Sequence, residues 1–349
     1  MLFVLLFCLA KEATMLTIVI LLIALAIILL GATVFTNGLE WFGKKMNLSD
    51  GAVGSIFAAV GTALPETLIP VIAILFGSKQ AGYNIGVGAI IGAPFMLGTL
   101  AFFVSGVAVM ANRKKRDDYP TMRVDTIVMR RDMEYFMVLY SIAIASAFIS
   151  HPVFKLVISA SLLFFYGAYI LKTLKGGDGN HAVEEADLAP CYFAPRSHDP
   201  RFFVILIQVG ISLLLIVWGA YIFVEKVQII SGQFNVSPFI LAMIIAPLAT
   251  ELPEKFNSVI WIRKGKDTLA IGNITGAMVF QGSVITAIGI LMTEWRLSHA
   301  AFITVALTFG SVGLAYLQIR TMKTLTPRTL LAGGVFYAIF IVLVLTGKI

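Results

Sequence analysis

Ten stretches of this chain are each apolar for about the length a helix needs to cross ~30 Å of hydrocarbon. They fall at 15–37, 51–76, 82–110, 133–150, 153–171, 202–224, 237–262, 269–292, 298–318 and 328–347. This feature excludes most folds. In hydrocarbon every backbone N–H and C=O must be paired within the protein, which leaves helices or a closed barrel. The apolar–polar alternation of barrel strands is absent. The sequence therefore predicts an all-α polytopic membrane protein of about ten transmembrane helices. Only 13% of the 349 residues are charged, against about a quarter in a soluble domain. The net charge of +7 is read as topology and lipid contact rather than nucleic-acid binding. Cys8 and Cys191 stand far apart and suggest neither a disulfide framework nor a metal cluster.

Basic residues test the count of spans. Of 26 Lys and Arg, 19 fall in the loops after spans one, three, five, seven and nine; Lys255 lies inside a span. Positive charge favours the cytoplasm, so the expectation is a multi-pass protein of the cell membrane with both termini outside. Residues 1–14 form a short apolar extension, read as an interfacial helix or as sequence upstream of a start at Met15. Residues 173–200, with Gly176, Gly177, Gly179 and an acidic patch at Glu184, Glu185 and Asp187, read as a cytoplasmic linker. It separates a first five-helix repeat, 15–172, from a second, 201–349.

The two halves match each other. Slid along itself in one register, the chain places Gly31-Ala32 on Gly219-Ala220, Phe35 on Phe223, Asn47 on Asn235 and Ser49 on Ser237. Thr62 falls on Thr250, Leu64-Pro65-Glu66 on Leu252-Pro253-Glu254, and Gly77 on Gly265, all without a gap. Five spans per half is an odd number, so the second half enters the membrane from the opposite side. That inverted repeat is the plan of many secondary transporters.

Glu66 and Glu254 lie mid-span, where a carboxylate normally faces a cavity or a partner. Thr62 and Thr250 sit one turn earlier on the same faces. Pro65 and Pro253 remove a backbone donor, which frees the carbonyls of Gly61 and Ala249. A carboxylate, a hydroxyl and a loose carbonyl are oxygen ligands of the kind hard cations prefer. Glu251 and Lys255 are spaced i,i+4 and can pair on one helix face; in the alternative reading Lys255 points into the site and replaces a cation. With the pair formed, three carboxylates and one ammonium leave a formal charge of −2. Gly88, Gly92, Gly272 and Gly276 place small residues at four-residue spacing, which lets helices pack closely. Gln281 is the one plausible polar ligand of span eight, and its counterpart is Leu97.

These residues resemble the calcium/cation antiporter superfamily, near its sodium/calcium exchanger branch, as a divergent member. The family's Gly-[Ser/Thr]-Ser-Leu-Pro-Glu reads here Gly61-Thr62-Ala63-Leu64-Pro65-Glu66 and Ala249-Thr250-Glu251-Leu252-Pro253-Glu254. The resemblance implies cation ligands at Glu66, Glu254, Thr62 and Thr250, with Gly61, Ala249, Glu251 and Gln281 completing the candidate set. It implies Ca²⁺ exchanged for Na⁺ by alternating access, with no cofactor; the bilayer and inorganic cations are the only partners inferred. The chain departs from the family pattern at Ala63, Glu251, Lys255, Leu97 and Gln281. Its Gly-Ser-Asn stands as Gly92-Ala93-Pro94 and Gly276-Ala277-Met278. Fewer oxygen ligands in spans three and eight keep H⁺ coupling, or another cation, as the alternative. An intramembrane enzyme is the remote one. Such chemistry needs a nucleophile–base pair or an acidic metal site, and all four histidines lie in loops or at span ends.

Overall fold

The computed structural model describes residues 2–46, 58–176 and 189–349. The side chains of residues 2–13, 58–62, 174–176, 249, 252–254 and 257 are not among those described. Asn47 and Ser49 of the repeat, and Glu184, Glu185 and Asp187 of the linker, also lie outside the described residues. Regular structure among the described residues is entirely helical. The helices are α1 (Leu2–Lys45), α2 (Ala58–Phe76), α3 (Lys79–Met96), α4 (Phe102–Ala111), α5 (Thr126–Ala145), α6 (Pro152–Gly176) and α7 (Phe202–Phe234). They continue with α8 (Pro238–Thr250), α9 (Leu252–Arg263), α10 (Asp267–Phe280), α11 (Thr286–Met292), α12 (His299–Met322) and α13 (Pro327–Leu345). Single π-turns, Leu97–Ala101 and Gln281–Ile285, join α3 to α4 and α10 to α11.

Among the described residues, seven helical segments are long and apolar enough to cross a membrane: Thr14–Lys45, Lys79–Ala111, Pro152–Thr173, Phe202–Phe234, Asp267–Met292, His299–Met322 and Pro327–Leu345. Large apolar side chains stand exposed on them, such as Leu214 and Trp218 on α7 and Phe164 and Leu171 on α6. Hydrocarbon tolerates such a surface; water does not. Three expected spans fall short of that standard for identifiable reasons. The start of 51–76 lies outside the described residues. The expected span 133–150 is the helix Thr126–Ala145, which carries Arg130, Arg131, Asp132 and Glu134 in its first half. Its early start is set by Asp125, whose side chain accepts from the N–H groups of Ile127 at 2.9 Å and Val128 at 3.1 Å. The expected span 237–262 is broken in two at Glu251.

The chain forms two compact units that cut across its halves, one from residues 1–86 and 172–241, the other from 87–171 and 242–349. In the first, α1 and α7 pack along each other and α2 packs on both. A Cβ added to Gly31 would meet Ile216 Cγ1 at 2.8 Å and Ser212 O at 3.2 Å. One added to Gly219 would meet Ile28 Cγ1 at 2.8 Å and Ala24 O at 3.1 Å. In the register of the repeat, each contact becomes the other. The α1–α7 interface is thus a self-complementary surface of the kind a two-fold axis produces.

The end of the linker is strapped to this pair. Asn37 Nδ2 and Trp41 Nε1 both donate to Ala189 O, at 3.2 and 3.0 Å. Gln208 Nε2 donates to Asn37 Oδ1 at 3.0 Å, and Phe193 N to Gln208 Oε1 at 3.0 Å. Trp41, Cys191 and Ile205 close a small apolar cluster over the strap.

In the second unit, α13 packs on α4, α5 on α10, α9 on α4 and α10, and α12 on α5 and α13. Glycine allows the closest approaches. A Cβ on Gly92 would lie 2.3 Å from Met243 O, and one on Gly333 would lie 2.5 Å from Thr99 O. The loop after α4 is held by charge. Arg116 grips Asp267 with two bonds of 2.6 Å, and Arg123 N donates to the same carboxylate at 2.9 Å. Asp267 is fully buried and Arg116 nearly so. Removing one member of such a pair strands the other charge. Asp267→Asn is expected to lower stability by about 3–5 kcal/mol, measured by equilibrium unfolding in mixed micelles; an unchanged midpoint would refute this account.

Candidate functional site

The two Leu-Pro-Glu segments fold differently. In the first repeat α2 runs unbroken through Pro65 and Pro70. In the second, α8 ends at Thr250 and α9 begins at Leu252, with Glu251 between them. Pro253 has no N–H to give Ala249 O, so the ladder is interrupted there. Glu251 bridges the gap with its own backbone: its N–H donates to Pro247 O at 3.0 Å and its carbonyl accepts from Lys255 N at 3.1 Å.

The side chains that meet at this break are Glu251, Lys255 and Gln281. Lys255 Nζ donates to Glu251 Oε2 at 2.8 Å and Gln281 Nε2 donates to Glu251 Oε1 at 3.1 Å. All three are buried. The i,i+4 pairing expected of Glu251 and Lys255 is therefore formed, and Gln281 is its third member. Gln281 Oε1 is buried without a hydrogen-bond partner among the described residues. Thr250, one residue before the break, donates its hydroxyl to Ala246 O at 3.1 Å. Its oxygen lone pairs can still accept.

Glu66 is a buried side chain of the first unit; Glu254 belongs by sequence to the second. The backbones of Gly61, Thr62, Ala249 and Glu254 are helical, and their side chains are outside the described residues. Among the described residues no three His, Cys, Asp or Glu side chains gather as a metal cluster.

Two further features escaped the sequence reading. The first is the pair of π-turns. Gln281 and its counterpart Leu97 each open one, and such turns occur often at functional sites. Thr99 and Ser283 occupy matching places within them and donate their hydroxyls to Phe95 O and Val279 O. The glycines Gly98 and Gly282 were the available signal. The second is Asp132. It is buried in α5, where it accepts from Tyr169 Oη at 3.0 Å, Thr275 Oγ1 at 2.9 Å and Arg131 Nη2 at 3.2 Å. The expected span 133–150 begins one residue after it.

The Glu251–Lys255 pair makes a stability prediction. Glu251→Leu alone leaves an ammonium buried and should destabilise the protein by about 3–5 kcal/mol, whereas Glu251→Leu with Lys255→Met should stay within about 1 kcal/mol of wild type. Unfolding midpoints of the four proteins of the cycle check this; equal losses in the single and double variants would refute it.

Known proteins share this fold. A family model described as sodium/calcium exchanger protein matches residues 16–175 and 204–346. The putative antiporter CaxA of Alkalimonas amylolytica is 22% identical over 280 residues, covering 80% of this chain and 82% of that protein. The crystal structure of the H⁺/Ca²⁺ exchanger CAX matches with a TM-score of 0.73 at 15% identity, over 94% of this chain and 82% of that one. The sodium-calcium exchanger NCX_Mj, soaked with 2.5 mM Na⁺ and 0.1 mM Ca²⁺, matches with a TM-score of 0.56 at 18% identity, over 94% and 98% of the two chains. The solved structures establish a shared fold. The family match spans both halves of the chain, and this multi-pass integral membrane protein belongs to the sodium/calcium exchanger family.

Proposed function

We propose that this chain is a secondary active antiporter that exchanges Ca²⁺ for Na⁺ across the cell membrane by alternating access around Glu66 and Glu254. The reading takes ten transmembrane helices as two inverted five-helix repeats with both termini outside. The observation that carries it is the gap-free repeat that sets a mid-span glutamate, with the same Leu-Pro before it, in each half. The reciprocal contacts of Gly31 and Gly219 support the inverted relation, since they map onto each other in the same register.

Charge sets what such a site can take. Glu251 is occupied by Lys255, so the net charge offered to ions is that of Glu66 and Glu254, formally −2. One Ca²⁺ or two Na⁺ match it. The hydroxyls of Thr62 and Thr250 and the carbonyls of Gly61 and Ala249 supply uncharged oxygens, which suit a hard cation. The similar structures are named for Ca²⁺ exchange, one against H⁺ and one for sodium; this supports Ca²⁺ as cargo and makes the counter-ion the point to test.

The test is ⁴⁵Ca²⁺ uptake into liposomes holding the purified protein, driven in turn by an outward Na⁺ and an outward H⁺ gradient. The expected result is saturable uptake on the Na⁺ gradient that falls to the level of protein-free liposomes in Glu66→Gln/Glu254→Gln. Uptake on the H⁺ gradient alone assigns the glutamates to protons instead. Wild-type flux in Glu66→Gln overturns the role of the pair.

A further inference from the structure

The second repeat holds a charge pair that the first lacks. In the register of the repeat, Glu251 corresponds to Ala63 and Lys255 to Thr67. The carboxylate and the ammonium thus come as a pair, with no change in net charge. Glu251 sits at the break between α8 and α9, next in sequence to the candidate ligand Thr250, and Lys255 lies in the first turn of α9. The ammonium contacts one carboxylate oxygen at 2.8 Å, Gln281 holds the other at 3.1 Å, and the pair is almost wholly out of solvent. An Nζ at that distance fills the place a monovalent cation would take on Glu251. Gln281 Oε1, buried and without a partner among the described residues, leaves one uncharged acceptor open next to the filled position.

We propose that Lys255 is a resident cation, tethered to the chain, that takes the place of one transported monovalent ion and makes exchange electroneutral. The inference rests on the antiport reading above. With the ammonium in place, the site offers two negative charges to transported ions, and one Ca²⁺ trades for two monovalent cations. Without it, Glu251 is a buried bare carboxylate. That state is costly, so the site draws in a third monovalent cation, whether Na⁺ or H⁺. Each cycle then moves one net charge.

The experiment is the steady-state Ca²⁺ gradient reached by proteoliposomes at voltages clamped with K⁺ and valinomycin. For the wild type the gradient is expected to be independent of voltage. For Lys255→Met it is expected to shift by about fifty-fold per 100 mV, since one charge gains about 2.3 kcal/mol over that potential and 1.36 kcal/mol is tenfold. In Glu251→Gln/Lys255→Met, where both charges are gone, voltage independence should return at whatever rate that protein transports. A voltage-dependent wild type, an active voltage-independent Lys255→Met, or a voltage-dependent double variant would each overturn the proposal. Should Lys255→Met fail to fold, Lys255→Thr, which installs the residue of the first repeat, carries the same expectation and the same power to overturn. Absence of any wild-type Ca²⁺ flux would sink the antiport reading instead; the summed count of ²²Na⁺ bound and H⁺ taken up by the purified wild type and Lys255→Met, expected to differ by one, then tests the resident cation on its own.

Discussion

A carboxylate removed from water costs several kcal/mol unless charges or hydrogen-bond donors meet it, and the second unit is organised around three of them. Asp267 is met by a guanidinium and a backbone N–H. Asp132 is met by two hydroxyls and Arg131. Glu251 is met by an ammonium and an amide. Each solution joins separate segments of the chain: the loop after α4 to the start of α10, α5 to α6 and α10, and the break before α9 to the second π-turn. In hydrocarbon, apolar contact between helices carries little of the drive it has in water, and packing depends on close fits and polar links. These carboxylates therefore fix which helices are neighbours and at what register, and the glycines then set how closely they approach.

The same shortage of partners governs the backbone. Where Pro253 withholds a donor, Glu251 N bonds back to Pro247 O and its carbonyl is taken by Lys255 N. Where the π-turns depart from the regular ladder, Thr99 and Ser283 hydroxyls cover carbonyls one turn back. Irregular backbone survives at membrane depth only when it is buried in protein or lines a cavity. It is therefore telling that the break at Glu251 and the π-turn at Gln281 face each other through a hydrogen bond. These two irregular points of the second repeat meet, and the chain places a buried ammonium there.

Much of this was legible in the sequence because it follows from local chemistry. Apolar length predicted helices, and the i,i+4 spacing predicted the Glu251–Lys255 pair. The register of the repeat relates Gly31 to Gly219 from the sequence alone. What was not legible depended on tertiary partners. Asp132 looked like a loop residue because the basic residues beside it dominate any hydropathy window, and only Tyr169 and Thr275, from two other helices, reveal why it is buried. Arg116 looked like a topology signal among many basic residues; its bidentate grip on Asp267 spans 151 positions. Leu-Pro-Glu predicted equal kinks in both repeats. It produced a continuous helix in one and a break in the other, at Glu251, where the first repeat has Ala63.

The first unit shows how a repeat can be symmetric in its packing and asymmetric in its restraint. Gly31 on Ile216 and Gly219 on Ile28 are one contact made twice, so the α1–α7 interface treats its two ends alike. The strap does not. Asn37 and Gln208, which bind each other and the linker, correspond in the repeat register to Glu225 and Ile20, and that pair offers no equivalent amide network. A perfectly two-fold pair would have no preference between orientations related by its axis. The hydrogen bonds of the strap lower the energy of whichever arrangement keeps them. The buried amides of Asn37 and Gln208 thus make the two ends of the α1–α7 pair unlike.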